Sequence, residues 1–268
     1  MTGDDELLRW RESLPAALRA LLADAPWHEV TLGWSGVRVF HVAGAGYLKI
    51  ATRPEHDLRP EKERLDWLRG RLPAPEVRYF AAEPGRQMLL ISAIGGLPSC
   101  DEQFRDGRQG EVVTLLGRAL RDLHALEIES CPFDRRADAL LAEAQCNMVS
   151  GLVDESAFDA GRQGRSPQSL YAELLATRPA REELVFAHGD YCMPNILIDV
   201  SALRVTGFVD WGRAGVADRY LDLALAARSI TVNWGAEWVP TFFAAYGLPP
   251  AQVDAERIAF FQLLDEFF

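Results

Sequence analysis

Phe186-Ala187-His188-Gly189-Asp190-Tyr191-Cys192-Met193-Pro194-Asn195-Ile196-Leu197-Ile198-Asp199, continued by Thr206-Gly207-Phe208-Val209-Asp210-Trp211-Gly212-Arg213, is the stretch on which the reading of this 268-residue chain turns. Apolar runs flank two polar loops. The first loop holds Asp190 and, five positions later, Asn195. The second places Asp210 directly after an apolar run and before Gly212. Residues 196–198 and 205–209 read as two short strands. Their short link returns Asp210 close to Asn195.

Transfer of the terminal phosphoryl group of ATP needs a carboxylate to receive the acceptor hydroxyl's proton, and an Asn and an Asp to hold Mg²⁺. Asp190 is the candidate proton acceptor, and Asn195 and Asp210 are the candidate metal ligands. Two side-chain oxygens at one point suit a hard, six-coordinate Mg²⁺; Asn195 taken alone reads equally as a turn amide. The pattern is that of a kinase catalytic loop, with Gly189 where protein kinases carry Arg and Trp211 inside a metal-binding Asp-x-Gly. The competing reading makes His188 and Asp190 turn and cap residues of an unrelated α/β domain.

Elsewhere the chain supplies what such a loop needs. Tyr47-Leu48-Lys49-Ile50 reads as a strand after the Gly44/Gly46 turn, with Tyr47 and Lys49 on one face and Leu48 and Ile50 on the other. Lys49 either meets the nucleotide phosphates or snorkels to solvent. In the helix Glu61-Lys62-Glu63-Arg64-Leu65-Asp66-Trp67-Leu68, Glu61 lies on the stripe of Leu65 and Leu68. It is the expected partner of Lys49, with Glu63 as the fallback. Thr31-Leu32-Gly33-Trp34-Ser35-Gly36-Val37 reads as a turn between strands, whose Ser35 and Gly36 backbone would lie over phosphates or form an ordinary hairpin. Met88 to Ile91 is a buried strand, and Ser92-Ala93-Ile94-Gly95-Gly96 after it is a joint between lobes. The expected domains are 1–94, a nucleotide-binding lobe, and 95–268, a catalytic and substrate-binding lobe.

The remaining periodicity is mostly helical. Leu14, Leu18, Leu21 and Leu22 suggest a helix ending near Asp24, and residues 111–126, 137–150, 173–177, 217–230 and 255–268 read as further helices or helix ends. His124 reads as a packed core histidine rather than a catalyst. Asp222 falls among the apolar residues of its helix. It either holds the backbone of the 188–190 loop or is a surface acid. Residues 158–164 are polar and Gly-containing and read as a mobile loop. Asp265 and Glu266 gather negative charge at a helix C-terminus, where a cation would offset it.

The ordered motifs, with Gly215-Val216-Ala217-Asp218-Arg219-Tyr220 and Leu263-Leu264-Asp265-Glu266-Phe267-Phe268, resemble the aminoglycoside 3'-phosphotransferases over nearly the whole chain. The resemblance implies an α+β, two-lobed, protein-kinase-like fold. A small N-terminal antiparallel sheet plus one key helix would precede a larger, mostly helical C-terminal lobe. It implies an ATP- and Mg²⁺-dependent transfer to the 3'-hydroxyl of a cationic aminoglycoside, conferring resistance. Tyr47 would stack on adenine, and backbone groups of Ser92 and Ile94 would meet the adenine edge. Asp159, Asp190, Arg228, Asp265, Glu266 and the Phe268 carboxylate would face the sugar, and Arg213 would assist with phosphate or structure. The chain departs from relatives at Ala157 and Ala160, at Ser229 and at Val232-Asn233, where acids often stand. A narrower range of acceptors, or another small hydroxylated amine, fits these departures.

The bulk properties agree with a small cationic partner. The formal net charge is −11 and the pI about 5.0, so a nucleic-acid partner is not expected. Hydrophobic residues make up 49% of the chain, enough for a large core. The four cysteines form no Cys-x-x-Cys pair, which argues against zinc. No apolar run of membrane-spanning length and no basic leader is evident, so a cytoplasmic monomer or weak homodimer without a membrane partner is expected. A protein kinase is disfavoured by Gly189 and by the short 211–216 link. A silent nucleotide-binding module is disfavoured because Lys49, Asp190, Asn195 and Asp210 are all present.

Overall fold

The structure is a computed structural model that describes residues 10–22, 25–30, 37–105 and 107–268. The chain divides into two compact units, one of residues 1–69 and 74–94, the other of residues 70–73 and 95–268.

Among the described residues, the first unit holds a five-stranded antiparallel sheet with helices packed on it. Its strands are β1 (Trp27–Val30), β2 (Arg38–Val42), β3 (Gly46–Ala51), β4 (Val77–Glu83) and β5 (Arg86–Ile91), in the order β1-β2-β3-β5-β4. Alternation along β3 decides which side chains enter the core. Leu48 and Ile50 are buried with Phe40, Val42, Met88 and Leu90, while Tyr47 and Lys49 stay half-buried on the other face. Helix α1 (Ala16–Leu22) lays Leu18 and Leu22 on the same core. Gly46 has φ +114, and a Cβ there would run into the Ile91 carbonyl, so only glycine lets β3 start this close to β5. Helix α2 (Arg59–Leu68) starts with Pro60 in its first turn, where a missing N–H costs nothing. Its buried stripe is Glu61, Arg64, Leu65 and Leu68.

The second unit is mostly helical, with two small sheets. Strand β6 (Leu97–Pro98) pairs with β8 (Ile196–Asp199), and β8 with β9 (Arg204–Phe208). Strand β7 (Leu184–Ala187) pairs antiparallel with β10 (Gly215–Asp218). The helices are α3 (Gln109–His124), α4 (Ala137–Val149), α5 (Pro167–Thr177), α6 (Tyr220–Trp234), α7 (Val239–Tyr246) and α8 (Ala255–Leu264). Helix α6 is buried over most of its length, from Tyr220 through Ala227 and again at Ser229 and Ile230. Helices α3 and α7 cross closely at Gly117, where a Cβ would press into the Phe242 carbonyl and the Tyr246 N–H.

The expected α+β class, with one antiparallel sheet and key helix before a mostly helical remainder, is what forms. One boundary and one helix differ. The helix read from Ala217 begins at Tyr220, because residues 215–218 extend along β7. Asp218 then accepts the Tyr220 N–H at 2.9 Å and turns the chain into the helix. Helix α7 went unread. Among the described residues no helix is long and apolar enough to cross a membrane.

Candidate active site

In the first unit, Lys49 Nζ donates to both carboxylate oxygens of Glu61, each at 2.8 Å. The strand face and the α2 stripe bring these side chains together, and little of either is exposed, 15% of Lys49 and 6% of Glu61. Glu63, the fallback partner, points to solvent. The pairing fixes an ammonium that would otherwise sample many rotamers, so it is set in place before an anion arrives. Tyr47 lies across from His41, ring centroids 5.1 Å apart. Ser92 binds Glu76 twice: its N–H donates to the Glu76 carbonyl at 2.9 Å, and its hydroxyl accepts the Glu76 N–H at 2.9 Å. Ile94 follows two residues on and is half-buried. Ser35 and Gly36 lie outside the described residues.

In the second unit, the 188–195 loop is pinned from several sides. Asp222, fully buried on α6, accepts the His188 N–H on Oδ2 at 2.7 Å and the Gly189 N–H on Oδ1 at 2.8 Å. Of the two readings of Asp222, the loop-holding one is the correct one. Oδ2 also receives His124 Nε2 at 3.0 Å, and His124 Nδ1 meets the Tyr246 hydroxyl at 2.9 Å. Burial pushes the Tyr246 phenol up to about 12, and the Asp222 carboxylate, an acceptor only, takes its hydrogen bond from His124 Nε2–H. His124 is thus a core histidine that also completes the hydrogen bonding of the carboxylate holding the loop.

His188 ties the two motifs to each other. Its Nδ1 accepts the Asp190 N–H at 3.3 Å, and its Nε2 donates to the Val209 carbonyl at 3.1 Å, one residue before Asp210. Its ring packs on Trp211, centroids 4.4 Å apart. Gly189 has φ +80, and a Cβ there would strike the Arg213 carbonyl, so the position has no room for a side chain. Further along, Met193 N–H donates to the Ser229 hydroxyl at 2.9 Å, and the Ser99 hydroxyl donates to the Met193 carbonyl at 2.8 Å. Ser229, which stands where the resemblance leads one to expect an acid, is therefore a brace for the loop.

Asp190 stands at the mouth of this frame, half-buried. Its Oδ2 accepts Asn195 Nδ2 at 2.9 Å, and its Oδ1 accepts the Cys192 thiol at 3.0 Å. Burial first, and the Asp190 charge second, push the thiol well above its usual range, so Cys192 remains a donor. Asn195 Nδ2 also donates to the Asp190 carbonyl at 3.0 Å, which turns the amide oxygen away from Asp190. Asp210 is exposed and left-handed, with φ 65 and ψ 61. Asp tolerates that conformation better than most residues, and strain of this kind gathers at functional positions. Val209 N–H donates to the Asn195 carbonyl at 2.9 Å, which sets the two candidate ligands side by side.

Whether this donor set suits Mg²⁺ is decided by its chemistry. One amide oxygen and one carboxylate are hard donors. Among the described residues no group of three or more His, Cys, Asp or Glu could hold a metal by itself. Mg²⁺ keeps water and takes phosphate oxygens, so a partial protein shell fits an ion shared with a nucleotide better than a resident one.

The acids expected around the sugar lie together in this unit, and arginines meet them. Asp265 accepts from Arg213 Nη2 at 2.6 Å and also pairs with Arg228. Burial would raise the Asp265 carboxyl, but the two guanidiniums outweigh it and hold the group below its usual range. Glu266 and Asp159 both accept from Arg162 Nη1, at 2.7 and 2.9 Å. Burial is the larger influence on Glu266 and pushes it up against that pairing. The Phe268 ring lies under Arg213, 4.8 Å from the guanidinium carbon. The 158–164 segment, read as mobile, is anchored by buried Phe158 and by Asp159 N–H on Glu266 at 3.2 Å. Ala157 and Ala160 are exposed, and Asn233 folds back to the Ser229 carbonyl at 2.8 Å.

Known proteins resemble this chain in sequence and fold. The model of the phosphotransferase enzyme family matches residues 26–261. The aminoglycoside 3'-phosphotransferase of Streptomyces fradiae is 40% identical, over 94% of this chain and 99% of that one. A crystal structure of an aminoglycoside-3'-phosphotransferase of type VIII is similar with a TM-score of 0.81 at 34% identity, covering 99% of this chain and 98% of that one. The aminoglycoside phosphotransferase APH(3'')-Id of Streptomyces rimosus, solved in complex with ADP and streptomycin, has a TM-score of 0.80 at 31% identity over 93% of this chain and 95% of that one. The fold is the protein-kinase-like one of these neighbours. With its phosphotransferase motifs in family order along almost its full length, this chain belongs to the phosphotransferase enzyme family, alongside the aminoglycoside 3'-phosphotransferases.

Proposed function

We propose that the protein transfers the γ-phosphoryl group of ATP to a hydroxyl of an aminoglycoside, the 3'-hydroxyl in the first instance, and so confers resistance to that drug. The observation that carries this reading is the Asp190 carboxylate, half-buried and held by Asn195 and Cys192 on a loop that Asp222 grips. A carboxylate fixed in this way accepts a hydrogen bond from the acceptor hydroxyl, aligns it for in-line attack and takes its proton as the new bond forms. Lys49, oriented by Glu61, lies against phosphate oxygens and offsets their charge. Asn195 Oδ1 and the Asp210 carboxylate would hold Mg²⁺, which would supply charge neutralisation at the phosphates. The Ser92 carbonyl and the Ile94 backbone receive the adenine edge, and Tyr47 covers its face. Asp159, Asp265 and Glu266 face the amino sugar, with Arg213 and Arg228 setting the position of Asp265. The need for ATP places the reaction in the cytoplasm.

A second acceptor, the 3''-hydroxyl of streptomycin, is favoured by one observation. Ala157, Ala160 and Ser229 leave fewer carboxylates for ammonium groups than the motif family leads one to expect, and a streptomycin-bound relative has this fold. Purified protein with Mg²⁺ and ATP, challenged separately with kanamycin, neomycin and streptomycin, decides between acceptors by product mass. ADP release without a phosphorylated sugar in any arm overturns both readings. Asp190→Ala is expected to lose transfer by about a thousandfold or more while still binding ATP, since positioning and proton acceptance vanish together. Near-normal turnover in that variant removes Asp190 from its role.

A further inference from the structure

One nitrogen in the second unit is surrounded as an ammonium would be. Arg162 Nη1 donates to Glu266 Oε1 at 2.7 Å, to Asp159 Oδ2 at 2.9 Å and to the Gln262 carbonyl at 3.3 Å. Three oxygens converge on it. A guanidinium nitrogen carries two hydrogens there and cannot serve three acceptors well, whereas a primary ammonium carries three. The Glu266 side chain is 3% exposed, so in the free protein it needs a cation to stay charged. Arg162 supplies that cation from a connecting segment that is neither helix nor strand, directly after Ala160 and Gly161, with 18% of its own side chain exposed. Taken together, Asp159, Asp265 and Glu266 are matched by Arg162, Arg213 and Arg228. Each of these three acids thus has an arginine partner within the chain.

We infer that Arg162 is a placeholder for a substrate ammonium: it occupies the oxygens of Asp159, Glu266 and Gln262 until an amino sugar displaces it, and it thereby narrows the range and weakens the binding of polycationic acceptors. This rests on the reading that these acids face the sugar. An incoming ammonium replaces a positive charge already present, so binding gains only the difference between the two cations. Arg213 and Arg228 differ from Arg162 in this respect. They take the two separate oxygens of Asp265, Arg213 against the Phe268 ring and Arg228 from within helix α6, where it also comes within 3.6 Å of Asp159 Oδ2. Of the three arginines, Arg162 gathers its three acceptors through a single nitrogen.

The test compares wild type with Arg162→Ala and Arg162→Gln, using kanamycin as the probe, by steady-state kinetics and by calorimetric titration. The KM and dissociation constant for kanamycin are expected to fall by about tenfold, the scale of one charge-assisted hydrogen bond. The change falls on the acceptor KM, with the KM for ATP unmoved. Adding Glu266→Gln to Arg162→Ala is expected to remove the gain, because the vacated acceptor is gone. Arg162→Lys keeps a cation on the segment and is expected to show no gain in kanamycin binding. Weaker kanamycin binding in both neutral variants, or an equal loss for every acceptor, means that Arg162 only anchors its segment and overturns the inference. The calorimetric arm separates this from the functional reading. Tighter binding without any phosphorylated product sinks the aminoglycoside kinase assignment and leaves the placeholder standing. Turnover in wild type without a gain in the variants does the reverse. Unfolding temperatures of the two neutral variants within a few degrees of wild type, about 4 °C per kcal/mol at most, exclude a folding artefact.

Discussion

Replacing Asp222 tests the frame of the catalytic loop most directly. Asp222→Ala orphans three donors at once: the His188 and Gly189 N–H groups and His124 Nε2. Asp222, His188 and His124 are all buried, at 0%, 0% and 9% exposure, so water does not readily take over. Each unsatisfied buried donor costs about 1–3 kcal/mol. Partial relaxation brings the sum into the range of about 3–5 kcal/mol seen when one partner of a buried polar pair is removed. At about 2–4 °C per kcal/mol for a chain segment of this size, the unfolding midpoint should drop by about 6–20 °C. Asp222→Asn does not rescue this. Its amide presents one acceptor and one donor, and the donor faces a backbone N–H.

The activity cost follows from position rather than from lost chemistry. His188 and Gly189 lead directly into Asp190, and a displacement of about 1 Å at a reacting group can cost about a hundredfold. Differential scanning fluorimetry and kcat for the acceptor are the two measurements, with ATP affinity as the control. ATP affinity should fall by less than kcat, since the Lys49–Glu61 pair in the other unit is untouched while Asn195 and Asp210 adjoin the disturbed loop. An Asp222→Ala protein that melts within about 1 kcal/mol of wild type and keeps its kcat would show that the loop holds its own shape, and the frame argument fails.

Two further perturbations are independent of it. Glu61→Gln leaves Lys49 with one neutral partner in place of a carboxylate at 2.8 Å on both oxygens, and the KM for ATP should rise by about tenfold with the acceptor KM unchanged. An unaltered ATP KM removes Lys49 from the phosphates. Asp265, whose carboxyl is held below its usual range, contributes stability that is present above the unfolded value of about 3.9 and is lost as pH falls through the lower folded value. Unfolding midpoints of wild type and Asp265→Asn should therefore differ near neutral pH and converge below about pH 3–4. A gap that stays constant across that window contradicts the assigned pairing with Arg213 and Arg228.

How far the site was readable from the sequence depended on how local its physics is. Lys49 and Glu61 were readable because a strand's alternation and a helix's stripe each place one charged side chain where an apolar one is expected. The 188–195 and 206–210 motifs were readable because their spacing is set by chemistry. Asp222 was half-readable. Its buried helical position was evident, but its partners are backbone N–H groups 33 and 34 residues away, which carry no side-chain signature. His124 reaches Asp222 across 98 residues, and nothing near it in the chain points there. Strand β10 was absorbed into a helix because Val216-Ala217 fits either period over so short a run, and the decision belongs to its pairing with β7. Helix α7 is only eight residues long and begins beside Pro240, so it gives little periodic signal.

Charge was the least readable property of all. From composition, a net charge of −11 and acids at a helix end suggest an unmet demand for cations. In the fold, that demand is met locally, by Arg213 and Arg228 on Asp265 and by Arg162 on Glu266 and Asp159. Attraction of a polycation to such a cluster is then not a matter of counting carboxylates. It depends on which of the internal cations can leave, and two of the three share a buried acid whose carboxyl they hold ionised. The third reaches its acids from a connecting segment through one nitrogen. On the proposed function, acceptor choice turns less on how many acids would face the sugar than on whether Arg162 moves aside for it.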